Sequence, residues 1–80
     1  MNYRLDEDEL TTLEETIARL EKLQITLAAE LSTEEVAGDP DRFRETSLTL
    51  QQAVADLEKS YSRWSDLSDE IERMRAKLGD

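Results

Sequence analysis

Chemistry in this chain would have to come from carboxylates and from a few aromatic and basic side chains. The sequence has 20 acidic residues but neither histidine nor cysteine, so it lacks common metal ligands, general bases and thiol nucleophiles. It also lacks the glycine-rich, lysine-containing loop with which ATPases bind phosphates. We therefore expect a non-enzymatic chain that holds no cofactor and no metal.

The densest group of carboxylates is Asp6-Glu7-Asp8-Glu9. As a cation site it lacks the loop spacing and the glycine of a calcium-binding loop. Asp6 can instead cap a helix and Glu9 can complete a capping box, and acidic residues favour the positive end of a helix dipole. We expect this run to begin a helix.

Tyr61-Ser62-Arg63-Trp64 places two aromatic rings beside a cation, as in proteins that stack single-stranded bases. Both rings also fall on an apolar helical seam, which favours packing in a core. The candidate nucleic-acid-binding residues are the cations Arg42, Arg44, Lys59, Arg63, Arg73, Arg75 and Lys77. The net charge of −10 repels phosphates, so binding would have to be local.

Two apolar seams with alternating spacings of three and four residues predict two helices that pack as a coiled coil. Helix one covers about residues 6–31 and helix two about residues 40–78. The predicted seam residues are Leu10, Leu13, Ile17, Leu20, Leu27, Leu31, Phe43, Leu50, Val54, Leu57, Tyr61, Trp64 and Ile71. Gly38-Asp39-Pro40 breaks the pattern and predicts a tip over residues 32–39. The predicted fold is all-α, a two-helix antiparallel coiled-coil hairpin with a short helical turn at its tip.

Folding the chain about residue 37 predicts the register and places Leu13 opposite Tyr61 and Leu10 opposite Trp64. Helix two then extends past helix one over residues 67–78, which carry an apolar stripe. Either residues 1–5 fold back over this overhang as a lid, or the stripe is exposed and suits a partner. We expect the lid, within a single domain that spans residues 1–80.

No apolar run approaches the ~20 residues of a membrane span, and the N-terminus does not resemble a signal peptide. We expect a cytoplasmic chain with no membrane partner. A monomer is favoured, and a dimer that exchanges helices stays open as an alternative.

Three segments resemble one known family. They are Asn2-Tyr3-Arg4, Asp39-Pro40-Asp41-Arg42 and Tyr61-Ser62-Arg63-Trp64-Ser65-Asp66-Leu67. Their order is similar to that in the C-terminal coiled-coil domain of the Uup-type ABC-F ATPases, which are soluble ATP-binding cassette proteins. The last segment is the most specific of the three.

The resemblance implies that this chain is a fragment of a larger ATPase, whose ATP and magnesium are bound elsewhere in the parent. The family's C-terminal domain is associated with DNA binding, and ABC-F proteins generally act on the ribosome. The implied function is a non-catalytic accessory domain that engages DNA or ribosomal RNA, beside the parent's own ATP-binding cassettes. The alternative is a protein–protein interaction or dimerisation coiled coil without nucleic-acid binding, which the acidic surface and the apolar overhang favour.

Overall fold

The computed structural model describes residues 3–79, with side chains from residue 6 onward. Within this range the chain forms three helices, α1 (Tyr3–Leu31), α2 (Glu34–Ala37) and α3 (Pro40–Lys77). No strand occurs among these residues, which confirms the all-α class.

Helix α1 begins earlier than the acidic run predicts. It starts at Tyr3, so Asp6 lies inside the first turns of the helix and does not cap it. Residues 3–5 therefore continue α1 and do not form a separate lid segment. Residues 1 and 2, and the side chains of residues 3–5, lie outside the described part of the chain.

Local hydrogen bonds define the turn between the two long helices. The Thr33 hydroxyl accepts from the Val36 N–H at 3.4 Å and caps α2. The Asp39 carboxylate accepts from the N–H groups of Asp41 and Arg42 at 3.1 and 3.3 Å, and Pro40 follows at the start of α3. These are the residue types that begin helices, because their side chains satisfy N–H groups that lack a helical partner.

Helices α1 and α3 pack along one another in opposite directions. Glu9 of α1 contacts Arg63 of α3, and Glu21 of α1 contacts Tyr61 of α3. Residues later in α1 therefore contact residues earlier in α3, as in an antiparallel pair. The molecule measures 59 × 14 × 14 Å, and at about 1.5 Å per residue the 38 residues of α3 account for its long axis. Neither long helix carries, in the described residues, a stretch apolar enough to cross a lipid bilayer.

The core is a narrow line of aliphatic side chains along this interface. Its buried members are Ile17, Leu20, Leu27, Ala53, Leu57, Leu67 and Ile71, and Val36 of α2 is buried at the tip. Five residues of the predicted seam are half-buried, namely Leu10, Leu13, Leu31, Leu50 and Val54.

The face of α3 that meets α1 differs from the predicted seam. Leu57 and Ile71 lie on it as expected, but the alternate positions are Ala53 and Leu67 instead of Val54 and Ser68. Successive residues of a helix are separated by about 100° around its axis. The shift by one position therefore moves the buried stripe around the axis of α3.

The rotation moves three predicted seam aromatics toward solvent. Phe43 is 44% exposed, Tyr61 is 45% exposed and Trp64 is 36% exposed. The interface is a line of small and medium aliphatic residues, and the rings lie beside it. The expectation that these three rings form the core is therefore corrected.

The predicted apolar overhang is covered over most of its length. Leu67 is fully buried and Ile71 is 3% exposed, while Leu78 is 68% exposed. Since α1 begins at Tyr3, it extends along α3 beyond the point expected from a start near Asp6. Residues 67–78 therefore do not form an exposed stripe, which corrects that alternative.

Candidate functional site

Three carboxylates spaced by seven residues mark one side of the α1–α3 interface. Glu7, Glu14 and Glu21 occupy equivalent heptad positions and so lie along the same edge of α1. We name these three residues the acidic edge. Each of them contacts a side chain of α3. In order along α1, the partners are Arg75, Trp64 and Tyr61.

The two aromatic contacts of the acidic edge form a cleft. The Trp64 indole N–H donates to Glu14 Oε2 at 3.3 Å, and the Tyr61 hydroxyl donates to Glu21 Oε2. The cleft has a volume of about 220 Å³. Its lining is Glu14, Ile17, Ala18, Glu21, Tyr61 and Trp64. We name it the aromatic cleft.

The carboxylate of Glu21 changes the acidity of the phenol. Its hydrogen bond with Tyr61, followed by desolvation and by repulsion of the phenolate, raises the pKa of Tyr61 above its usual value of 10.0. The bond favours the protonated phenol because only that form can donate to the carboxylate.

Both rings contact carboxylates that lie nearer the tip than the predicted register gives. The predicted register places Trp64 opposite Leu10, but the ring meets Glu14, one helical turn nearer the tip. Helical side chains point toward the N-terminus of their own helix, and the N-terminus of α3 is at the tip. This direction accounts for part of the offset of Trp64, whereas Tyr61 meets Glu21, eight residues along α1 from the predicted Leu13.

An ion pair lies on the opposite edge of the interface. Arg63 binds Glu9 through two hydrogen bonds, Nε to Oε2 at 2.7 Å and Nη2 to Oε1 at 3.0 Å. Glu9 is two residues from Glu7, and Arg63 two residues from Tyr61, so each points away from the acidic edge.

The hydrogen bonds of this pair lower the pKa of Glu9 and raise that of Arg63. Both side chains remain exposed, at 43% and 47%, so solvent screens the attraction.

The seven candidate nucleic-acid-binding cations do not form one patch. They lie along α3 from residue 42 to residue 77, over roughly 50 Å of helix. Arg63 and Arg75 are joined to Glu9 and Glu7. Within residues 6–79 the structure shows no ion pair for the remaining five, which are Arg42, Arg44, Lys59, Arg73 and Lys77.

Two small surface hollows accompany these cations. Arg73 and Lys77 line one of about 240 Å³ together with Glu70 and Met74. Arg44 lines another at the tip. That hollow has a volume of about 610 Å³ and is otherwise bordered by Ala37, Pro40, Phe43, Ser47, Leu48 and Gln51.

Sequence reasoning missed the aromatic cleft and part of the tip surface. The seven-residue spacing of the acidic edge was available as a signal for the former. At the tip, Leu48 is 57% exposed, and Ile25 of α1 is 72% exposed. Both lie off the alternating seam, and this position indicates their exposure.

No group of three acidic side chains among the described residues is arranged to hold a metal ion. The candidate site consists of three surfaces: the tip with its two arginines, the edge with the Arg63–Glu9 ion pair, and the aromatic cleft.

Comparisons with known proteins place this arrangement in a family. No curated protein and no solved structure matches the chain. A family model described as the ABC transporter C-terminal domain matches residues 4–69, a region that includes nearly all of α1, the tip and most of α3. Since the match covers well over half of its 80 residues, this chain belongs to the ABC transporter C-terminal domain family.

Proposed function

We propose that this chain is a non-catalytic accessory domain of a Uup-like ABC-F ATPase, and that it engages DNA or ribosomal RNA to help dock the parent protein. The family match over residues 4–69 carries the proposal. The specific resemblance of the Tyr61-Ser62-Arg63-Trp64 segment supports the assignment to the ABC-F branch. In this proposal the antiparallel pair of long helices is a coiled-coil hairpin in the cytoplasm, beside the parent's own cassettes.

The tip is the surface best suited to approach a phosphate backbone. Arg42 and Arg44 flank Phe43, which is 44% exposed and so available to stack on an unpaired base. The tip lies at one end of a rod 59 Å long, and screening limits charge interactions to about 8 Å at physiological ionic strength. Most of the acidic body therefore contributes little at the tip.

Neighbouring acids limit the strength of this interaction. Residues 32–45 carry five acidic side chains against the two tip arginines, and two of these acids, Asp41 and Glu45, adjoin the arginines in the sequence. We expect weak, salt-sensitive binding, in which the remaining cations of α3 assist. Arg63 and Arg75 would have to exchange a carboxylate for a phosphate, because Glu9 and Glu7 bind them in the structure.

The test is binding of the chain to labelled branched DNA, duplex DNA and ribosomal RNA at low salt and then at rising salt. Arg42→Gln with Arg44→Gln removes the tip cations. The proposal predicts weaker binding by this double variant and a shallower salt dependence, by about 0.9 in log–log slope per lost phosphate contact on duplex DNA.

A charge-matched control is available on α1. Arg19→Gln with Lys22→Gln makes the same change in net charge outside the candidate set. It should bind as the unchanged chain does. Equal weakening in both variants, or no binding at the lowest salt, would contradict nucleic-acid engagement by the tip.

A protein–protein interaction or dimerisation surface is the second candidate function. It is favoured by the apolar side chains exposed toward the tip, where Ile25, Leu48 and Phe43 are 72%, 57% and 44% exposed. Sedimentation velocity over a wide concentration range tests the dimer. A monomer at every concentration would exclude self-association through this surface.

A further inference from the structure

The aromatic cleft combines exposed aromatic rings with carboxylates. Its rings, Tyr61 and Trp64, keep 45% and 36% of their surfaces exposed, so aromatic surface is available to a ligand. Two residues of the acidic edge, Glu14 and Glu21, form the rim beside those rings. Aliphatic side chains of α1 complete the lining.

The two carboxylates are bound by neutral donors and keep most of their hydrogen-bonding capacity. Each accepts a hydrogen bond from a neutral donor, the Trp64 indole or the Tyr61 hydroxyl, and neither donor neutralises it. A carboxylate offers about four acceptor positions, so both can accept further bonds from a ligand. The cleft is therefore a negatively charged site with aromatic walls.

This chemistry selects a cation with a flat face. Cations are attracted to the faces of Trp and Tyr rings. A guanidinium group also stacks on aromatic rings and makes paired hydrogen bonds to carboxylates, which an ammonium group does less well. Phosphate-bearing ligands are disfavoured because two carboxylates border the cleft.

The size of the cleft agrees with one side chain as the occupant. Its volume of about 220 Å³ lies below the roughly 300–1,000 Å³ typical of sites for drug-sized ligands. The whole chain carries a net charge of −10, which attracts a basic segment to its surface before the side chain enters.

We propose that the aromatic cleft binds an arginine side chain from a basic segment of a partner protein. The guanidinium group packs against Trp64 and Tyr61 and donates hydrogen bonds to Glu14 and Glu21. This site is distinct from the tip arginines proposed to engage nucleic acid, and it lies on the opposite edge of the interface from the ion pair of Arg63.

The first experiment titrates the chain with a fluorescently labelled hexa-arginine peptide. Glu14→Gln with Glu21→Gln removes both charges while keeping side-chain oxygens that can accept the existing hydrogen bonds. Glu15→Gln with Glu35→Gln changes the net charge equally at positions outside the cleft. Circular dichroism verifies that both double variants remain helical.

The cleft variant should bind the peptide about tenfold more weakly than the charge-matched control, as expected from the loss of charge-assisted hydrogen bonds. Equal affinities of the two double variants would show that only the overall charge attracts the peptide. That result would overturn the proposal.

The second experiment uses the intrinsic fluorescence of Trp64, the only tryptophan in the chain. Hexa-arginine should change this signal at lower concentrations than hexa-lysine of the same charge, because arginine stacks and lysine does not. Identical titrations with the two peptides would contradict an arginine site. A larger response to single-stranded oligonucleotide than to either peptide would also overturn it and assign the rings to base stacking.

Discussion

Apolar side chains in two segments of α3 differ in their exposure to solvent. In residues 53–71, the basal segment, the aliphatic residues Ala53, Leu57, Leu67 and Ile71 are at most 5% exposed, while the Tyr61 and Trp64 rings lie beside the core and are exposed. In residues 43–48, the tip segment, Phe43 and Leu48 are 44% and 57% exposed. One continuous helix thus contributes buried aliphatic residues along its middle and exposed apolar side chains near the tip. The basal segment holds the helices together, while the tip segment is available to a partner.

The tip depends on helix caps where the base depends on a core. Its buried aliphatic residue is Val36 of α2, at 4% exposure. Thr33 and Asp39 supply side-chain hydrogen bonds to the helices that follow them. Hydrophobic burial contributes more per residue than a cap does, so substitutions should affect the two ends to different degrees.

Leu67→Ala should have the largest effect, because it removes a fully buried side chain. Leucine-to-alanine changes in cores cost about 2–5 kcal/mol, which approaches the whole stability of roughly 3–5 kcal/mol expected for a chain of this size. Urea unfolding followed by circular dichroism measures the loss.

Leu48→Ala is the matched control for that substitution at the tip. Its side chain is 57% exposed, so the free energy of unfolding should change by less than about 0.5 kcal/mol. Similar losses in the two variants would remove the distinction between the basal and tip segments.

Asp39→Ala should lower the free energy of unfolding by about 1 kcal/mol, the usual cost of removing an N-cap. The variant loses the acceptor for the N–H groups of Asp41 and Arg42. Asp39→Asn keeps a capping oxygen and should recover most of the loss in thermal denaturation. Equal melting temperatures for the alanine variant and the unchanged chain would mean that the cap does not stabilise the tip.

Arg63→Gln should cause a small loss of stability that depends on pH. The Arg63 guanidinium lowers the pKa of Glu9 in the folded chain from 4.5, so the pair stabilises the fold above that pH. Its contribution disappears as the pH falls through the lowered pKa and Glu9 is protonated. Melting temperatures of the variant and the unchanged chain should therefore differ at pH 7 and converge at strongly acidic pH. A constant difference would exclude this linkage.

Glu21→Gln should lower the pKa of Tyr61 toward 10.0 and cause a small loss of stability at neutral pH. In the unchanged chain the Glu21 carboxylate raises that pKa, so its stabilising effect is present below pH 10 and is lost as the phenol ionises. Ultraviolet titration in a Tyr3→Phe background isolates the Tyr61 signal, since the chain has two tyrosines. An unchanged pKa would contradict the contact between the two residues.

Local sequence signals were sufficient to predict the all-α class and the break between the long helices. The break depends on Asp39 and Pro40, whose effects on the following helix are local. The start of α1 was harder to predict from the sequence. The acidic run favours a helix start at Asp6, but residues 3–5 before it are also helical.

The buried face of α3 could not be chosen from the sequence alone. Val54 and Tyr61 offer one apolar seam with Leu57, and Ala53 and Leu67 offer another, one residue earlier. Both alternate at spacings of three and four, so the helical period does not distinguish them. Packing against α1 decides, and it favours the seam that fully buries Leu67.

The candidate site was predictable only in part for the same reason. The cations could be identified by type, but their pairing with carboxylates of α1 depends on the register between the helices. The aromatic cleft requires Tyr61 and Trp64 to lie beside the interface, whereas the predicted seam placed them inside it.

The molecule is a thin rod of 59 × 14 × 14 Å, so a rotation at one end displaces the other end. When one end of such a rod is held, a tilt of a few degrees there sweeps the other end through several ångströms. Its continuous 38-residue helix has no interior glycine or proline at which to bend. Because α3 bends little along its length, a small rotation at the base should displace the tip by nearly the full amount expected for a rigid rod.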